Sequence, residues 1–435
     1  MSAELRWLTQ HPNARCNDGT PSGYYFRPGS SNDWLVVLDS GGWCWDELSC
    51  AMRCDHEPAR CTSDGWPSSR RFAGIMRSNR PRLAAANRIF VPYCTSDAFV
   101  ANTSAFGRQF RGLAVVAAVL EEMVQTHGFG ASTAKHTLIF GGKSAGGRGA
   151  MVLLDSIREM LPLAPAVRAA VEVRGLLDSP LWLDIEPLHA GTGPRFAGFR
   201  SFADATLSFH AHLIGPGASH ESASSHCTAS PPWRCYFGEY RLPLLRTPYM
   251  LIASQFDTFQ LDYNFGCSSW ACSSPARASG EQAAYALRFA NRTASLLRAL
   301  AVGPRLVFSN RCHQHAVLLD DNDFAATGCL GISIEQAVLD FVSLPPLAPS
   351  HHPGLPRQII DETPDDRFDH CACESDVARQ LGAAVALAAL AAAFCLRSRR
   401  RHGPWAAWRW VWRRLRRSNK AALPSGIRPA AMQRG

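Results

Sequence analysis

Gly142-Lys143-Ser144-Ala145-Gly146 sets a serine between two glycines in the G-x-S-x-G spacing of a nucleophile elbow. In such an elbow a sharp strand-to-helix turn lifts the hydroxyl into the open, and side chains at the flanking positions would collide. A helix N-terminus behind the serine favours developing negative charge. Gly142-Lys143-Ser144 also mimics the end of a phosphate-binding loop, but that motif needs a glycine five residues earlier, where Thr137 stands. A serine nucleophile needs a base and an acid to orient the base, in the chain order Ser, acid, His. Two acids close apolar runs after Ser144: Asp178 in VRGLLD and Asp257 in YMLIASQFD. Asp257 is preferred, because the acid usually sits one strand beyond the strand that follows the nucleophile's helix. Asp178 reads as a strand-end carboxylate bonded to backbone amides. For the base, His313 and His315 of Cys312-His313-Gln314-His315 both qualify by position. The C-H-x-H spacing has no second ligand cluster beside it, so neither a metal nor an organic cofactor is expected. His210, His212, His220 and His226 read as surface-loop residues. Gly41-Gly42-Trp43 follows a strong apolar run, where glycines let backbone amides approach a tetrahedral oxyanion, each such donor typically worth ~3 kcal/mol. The chemistry these residues would perform is acyl transfer to water through a serine-bound intermediate.

Such residues have to be held at strand ends. Asp33 to Asp39, Arg88 to Tyr93, His136 to Phe140, Val171 to Leu177, Tyr249 to Ser254 and Arg305 to Ser309 are short apolar runs typical of strands buried on both faces. Helical patterns fall at about 108–126, 146–160, 281–300 and 333–343. Alternation of the two predicts one α/β domain over 13–345, an α/β-hydrolase-like, mostly parallel sheet with helices on both faces. Residues 1–12 are expected to be an N-terminal extension and 346–376 a Pro- and acid-rich stalk.

The chain resembles the pectin acetylesterase family. The matching stretches are Cys16-Asn17-Asp18-Gly19 with Gly23-Tyr24-Tyr25, Leu38 to Cys44, Pro92-Tyr93-Cys94-Thr95-Ser96-Asp97, Gly142 to Gly147, Arg174 to Ser179, Phe256 to Leu261 and Cys312 to His315, in family order over about 16–316. The resemblance implies Ser144 as nucleophile, His315 rather than His313 as general base, Asp257 as orienting acid, and Gly42, Trp43 and Ala145 as oxyanion-hole donors. It also implies a disulfide between Cys16 and Cys94. Two substrate classes follow from it: O-acetyl groups on acidic cell-wall or extracellular polysaccharide, or a lipid acyl group on a secreted protein. Trp43 followed directly by Cys44 resembles the polysaccharide branch, which ranks deacetylation first. The rival from another class is a cell-surface binding module that keeps the fold without catalysis. This chain departs from the family in having Asp39-Ser40 before Gly41 and Lys143 beside the serine.

Composition restricts the setting. Of 45 Lys and Arg, 12 lie in 397–435, which has no Asp or Glu, so 33 basic residues face 36 acidic ones in 1–396. A slightly acidic body of this kind disfavours nucleic acid as a partner. Fifteen cysteines include close pairs, Cys44/Cys50 and Cys54/Cys61 among them, which read as local disulfides in an oxidising compartment. The Asn102-Thr103-Ser104 and Asn291-Arg292-Thr293 acceptors agree with a glycoprotein. Val377 to Leu396 is 20 residues, enough to span about 30 Å as a helix, and RSRRRH follows at once. This predicts a single-pass membrane helix over 377–396, a lumenal or cell-surface esterase domain, and a cytoplasmic Trp/Arg-rich tail over 397–435. The first ten residues, with Glu4 and Arg6, lack the apolar core of a signal peptide, so an incomplete start is expected.

Overall fold

A computed structural model of the chain describes residues 2–131, 135–189, 232–266, 273–302, 305–325, 331–343 and 358–362. Fourteen strands occur among these residues. They are β1 (Ser2–Trp7), β2 (Gly23–Arg27), β3 (Asp33–Leu38), β4 (Ser69–Arg71), β5 (Asn87–Val91), β6 (Thr103–Ala105), β7 (Arg108–Phe110) and β8 (Thr137–Lys143), then β9 (Glu172–Asp178), β10 (Tyr249–Ile252), β11 (Phe256–Asp257), β12 (Arg305–Ser309), β13 (His313–Gln314) and β14 (Gln358–Ile360). The helices are α1 (Glu47–His56), α2 (Pro81–Ala85), α3 (Gly112–Gln125), α4 (Ala145–Leu153), α5 (Ile157–Met160), α6 (Pro165–Ala170), α7 (Gly238–Arg241), α8 (Thr258–Asn264), α9 (Gly280–Leu300), α10 (Asp321–Ala325) and α11 (Ile334–Ser343).

Ten strands make one sheet in the order β14-β12-β10-β9-β8-β3-β5-β2-β1-β4. It is parallel from β14 through β5 and turns antiparallel at β2, β1 and β4. The apolar runs behave as strands because alternate residues find separate cores. Trp34, Val36, Leu38, Leu138, Phe140, Val173 and Leu251 pack on one face with Val116, Leu120 and Met123 of α3 and Leu297 of α9. Leu35, Val37, Ile139, Leu176, Met250 and Phe308 pack on the other with Ile334, Val338 and Phe341 of α11. Each such side chain, fully buried, contributes about 1.5–3 kcal/mol.

The sheet is wider than the expected domain. Residues 1–12, read as an extension, supply β1, which pairs with β2 through Glu4↔Phe26 and Arg6↔Tyr24, so the fold begins ahead of residue 13. Within the stretch read as stalk, Gln358–Ile360 adds β14 alongside β12. β14 is a three-residue edge strand too short for periodicity to reveal, and β1, paired between β2 and β4, lacks the continuous apolar run of the inner strands. The helix expected from 108 starts at Gly112, because Phe106 and Gly107 take positive φ and fold Arg108–Phe110 back on Thr103–Ala105. The helix expected over 146–160 is interrupted at Leu154–Ser156, where the Asp155 carboxylate accepts from the Arg246 and Thr247 amides.

Cys16–Cys94, Cys44–Cys50 and Cys54–Cys61 are disulfides, and Cys235 and Cys312 are also disulfide-bonded. Two of these bridges fasten α1 at Cys50 and Cys54. The chain divides after Cys371, and the expected membrane segment 377–396 and tail 397–435 lie outside the described residues. Among the described residues no helix is long and apolar enough to cross a membrane.

Candidate active site

Strand β8 ends at Lys143 and α4 begins at Ala145, leaving Ser144 alone to make the turn, at φ 52° and ψ −117°. A non-glycine residue held there stores about 1–3 kcal/mol of backbone strain, sustained by its surroundings. The Ser144 amide donates to the Asp178 carbonyl at 2.8 Å, and the Arg148 amide donates to the Ser144 carbonyl at 2.9 Å. The glycines are demanded by space. A Cβ on Gly142 would lie 2.5 Å from the carbonyl carbon of Gly146, and one on Gly146 would lie 2.3 Å from the Leu38 oxygen.

His315 Nε2 lies 2.7 Å from Ser144 Oγ, and His315 Nδ1 lies 2.7 Å from Asp257 Oδ2. The carboxylate only accepts, so Nδ1 carries the proton and Nε2 is left to accept from the serine. Asp257 caps α8 as well, its Oδ1 accepting from the Gln260 amide at 3.0 Å. Acid and base are held in register by a separate two-stranded parallel pairing, Phe256↔His313 and Asp257↔Gln314. Burial opposes charge on the His315 ring, but the Asp257 charge and hydrogen bond outweigh it and hold the imidazole pKa above its ordinary value.

The two residues that competed by position are engaged elsewhere. His313 Nε2 meets Ser273 Oγ at 3.0 Å. Asp178, fully buried, accepts from the Leu318 amide at 2.7 Å and the Ser179 hydroxyl at 3.0 Å, and burial pushes its carboxyl up to about 6. Lys143 sits opposite Asp178 in the β8/β9 register.

Beyond β3 the chain takes positive φ at Gly41 and Gly42 before Trp43. Of the three amides expected to serve an oxyanion, those of Gly42 and Trp43 lie in this turn and that of Ala145 opens α4. Trp43, 6% exposed, turns its indole onto Trp182 at 4.9 Å between ring centroids. Trp182 stacks on Phe259 at 6.3 Å, and Phe259 on His315 at 5.2 Å. This aromatic arc, running from the Gly42 turn to the base, was not foreseen. Phe259 lies in the family-matching stretch Phe256 to Leu261, where no role was expected of it.

Asn102 is exposed on the segment leading into β6, with its Oδ1 accepting from Arg111 at 3.1 Å. Asn291 is exposed on α9, whereas Thr293 of the same tripeptide is buried with its hydroxyl on the Phe289 carbonyl. Among the described residues no three His, Cys, Asp or Glu side chains converge as a metal site needs.

Comparison with known proteins adds to this geometry. A family model described as Pectinacetylesterase matches residues 3–345. Palmitoleoyl-protein carboxylesterase NOTUM of Homo sapiens is 30% identical over 275 residues, 60% of this chain and 52% of that protein. Its Drosophila melanogaster counterpart is 31% identical over 260 residues, 57% of this chain and 36% of that protein. The chain spans about half the length, or less, of the curated relatives it matches. Among solved structures, the Wnt deacylase Notum from Drosophila superposes with a TM-score of 0.65 at 26% identity, covering 78% of this chain and 93% of that one.

Proposed function

The chain belongs to the pectinacetylesterase family, and from that premise we propose that it is a serine carboxylesterase acting on O-acyl esters. The observation that carries this reading is the relay Asp257 Oδ2, His315, Ser144 Oγ, with both contacts at 2.7 Å. His315 takes the Ser144 proton as Oγ bonds to the ester carbonyl carbon. The oxyanion so formed accepts from the Gly42, Trp43 and Ala145 amides. Collapse releases the alcohol, which leaves with the proton held by His315, and a water activated by the same imidazole then frees the acid.

The substrate is a short acyl ester, acetyl first, on an acidic extracellular polysaccharide. A second reading, removal of a fatty acyl group from a protein, is supported by the names of the relatives and by the aromatic arc of Trp43, Trp182 and Phe259. The disulfides support a secretory or cell-surface setting, anchored through 377–396 with 397–435 in the cytoplasm. Carbonate extraction of membranes tests the anchor. Labelling by a fluorophosphonate, abolished in Ser144→Ala, tests the enzyme. A protein that folds, is not labelled and turns over no ester is a binding module instead.

A further inference from the structure

We propose that Arg148 is a specificity-determining residue: its buried guanidinium occupies the aromatic arc beside Ser144 and confines the site to short acyl groups. This rests on the esterase reading above and adds to it the residue that limits acyl length.

Arg148 lies in the first turn of α4, its amide donating to the Ser144 carbonyl at 2.9 Å, and helical side chains lean back toward the helix N-terminus, where Ser144 stands. The guanidinium carbon lies 3.2 Å from the centroid of the Trp182 ring and 5.5 Å from that of Trp43. Through Trp182 and Phe259 the cation is linked by successive ring contacts to His315. It is 1% exposed. Nη2 donates to the Pro180 carbonyl at 3.1 Å, Nη1 is buried with no partner, and no carboxylate among the described residues pairs with it. Burial holds its pKa well below the arginine range. The ring faces favour the charge there by a cation–π contact that strengthens on desolvation.

A fatty chain gains from burial only in dry apolar space. Against Trp43 and Trp182 stands a guanidinium whose ring contacts a long chain lying there would have to displace, leaving a buried charge unsatisfied. An acetyl group asks for no such room. Replacing a buried, unpaired cation by an apolar side chain of similar length is tolerated by folds, so Arg148→Leu and Arg148→Met are usable variants.

The test is kcat/KM for esters of one alcohol with acetyl, butyryl and octanoyl groups, on wild type and both variants. Wild type should favour acetyl. Room for two or three more methylenes, at about fourfold each, should raise the octanoyl-to-acetyl ratio at least tenfold in the variants. Such a gain on long esters is not something a merely structural role produces. A wild type that prefers octanoyl, or variants with an unchanged ratio, overturns the assignment while leaving the esterase standing. A wild type that hydrolyses none of the series and escapes fluorophosphonate labelling removes both.

Discussion

Asp257 and His315 meet at 2.7 Å because their strands, β11 and β13, pair with each other outside the main sheet, with Asp257 opposite Gln314. The pairing places the histidine one residue past the strand, where Ala316 at φ 62° turns the chain and Nε2 reaches Ser144. One pairing therefore positions both side chains, and the carboxylate fixes which ring nitrogen faces the serine.

Exchanging that carboxylate tests the arrangement. Asp257→Asn keeps the shape but lets the wrong tautomer form, and should cost about ten-thousand-fold in kcat. Asp178→Asn should cost little in rate, since Asp178 serves the Leu318 amide and the Ser179 hydroxyl. Steady-state rates on an activated acetyl ester distinguish the two. Equal losses would reverse the assignment of the acid.

The base works only when neutral, so kcat/KM should fall as pH drops through the His315 pKa. Since Asp257 holds that pKa above the ordinary histidine value near 6.5, the acid limb should lie above 6.5. In Asp257→Asn the favourable charge is gone while burial remains, and whatever activity survives should show its acid limb at lower pH. A pH–rate profile of both proteins reads this directly. An acid limb that does not move would mean that another group titrates.

Much of this site was legible in the chain because its parts are local. The elbow is five consecutive residues, and the runs at 137–140, 249–252 and 305–309 are apolar enough on both faces to be recognised as inner strands. His313 and His315 could not be separated by residue type, since both follow the same strand. The family resemblance favoured His315, and in the structure the β11/β13 register, the contacts of His315 with Asp257 and Ser144, and that of His313 with Ser273 part them. Strands toward the two margins of the sheet were the least legible. Ser2–Trp7 alternates polar and apolar residues weakly, and Gln358–Ile360 is three residues in a Pro-rich stretch. Arg148 was invisible for a different reason, because a buried arginine in an otherwise apolar helix is understood only from the rings around it.

Disulfide loops of different span should contribute unequally to stability. Cys16–Cys94 closes 78 residues and Cys44–Cys50 closes 6. In the chain-entropy account these restrict the unfolded chain by about 4.5 and about 2 kcal/mol. Urea unfolding of the two Cys→Ser double variants should therefore show the larger loss for Cys16/Cys94. For Cys44/Cys50 the larger effect should be on rate, because that bridge borders the turn carrying Gly42 and Trp43. The reverse order in stability would argue that the short bridge mainly relieves a defect in the folded state.

The elbow glycines offer the sharpest structural test. A Cβ on Gly146 would lie 2.3 Å from the Leu38 oxygen and 2.4 Å from the Asp39 oxygen, both backbone atoms that cannot swing aside. To admit it, α4 must move away from the end of β3, the strand that leads into Gly41 and Gly42, so the serine and the turn facing it part together. Gly146→Ala should thus lower the melting temperature and lose nearly all esterase activity. Gly280→Ala is the matched control. It opens α9 with nothing within 4 Å of a new Cβ, and alanine reduces the freedom of the unfolded chain, so it should leave activity intact and stability unchanged or higher by ~0.4–1 kcal/mol. Thermal melts and ester turnover on both variants decide the matter. An active, stable Gly146→Ala would show that α4 packs less closely on β3 than this geometry requires.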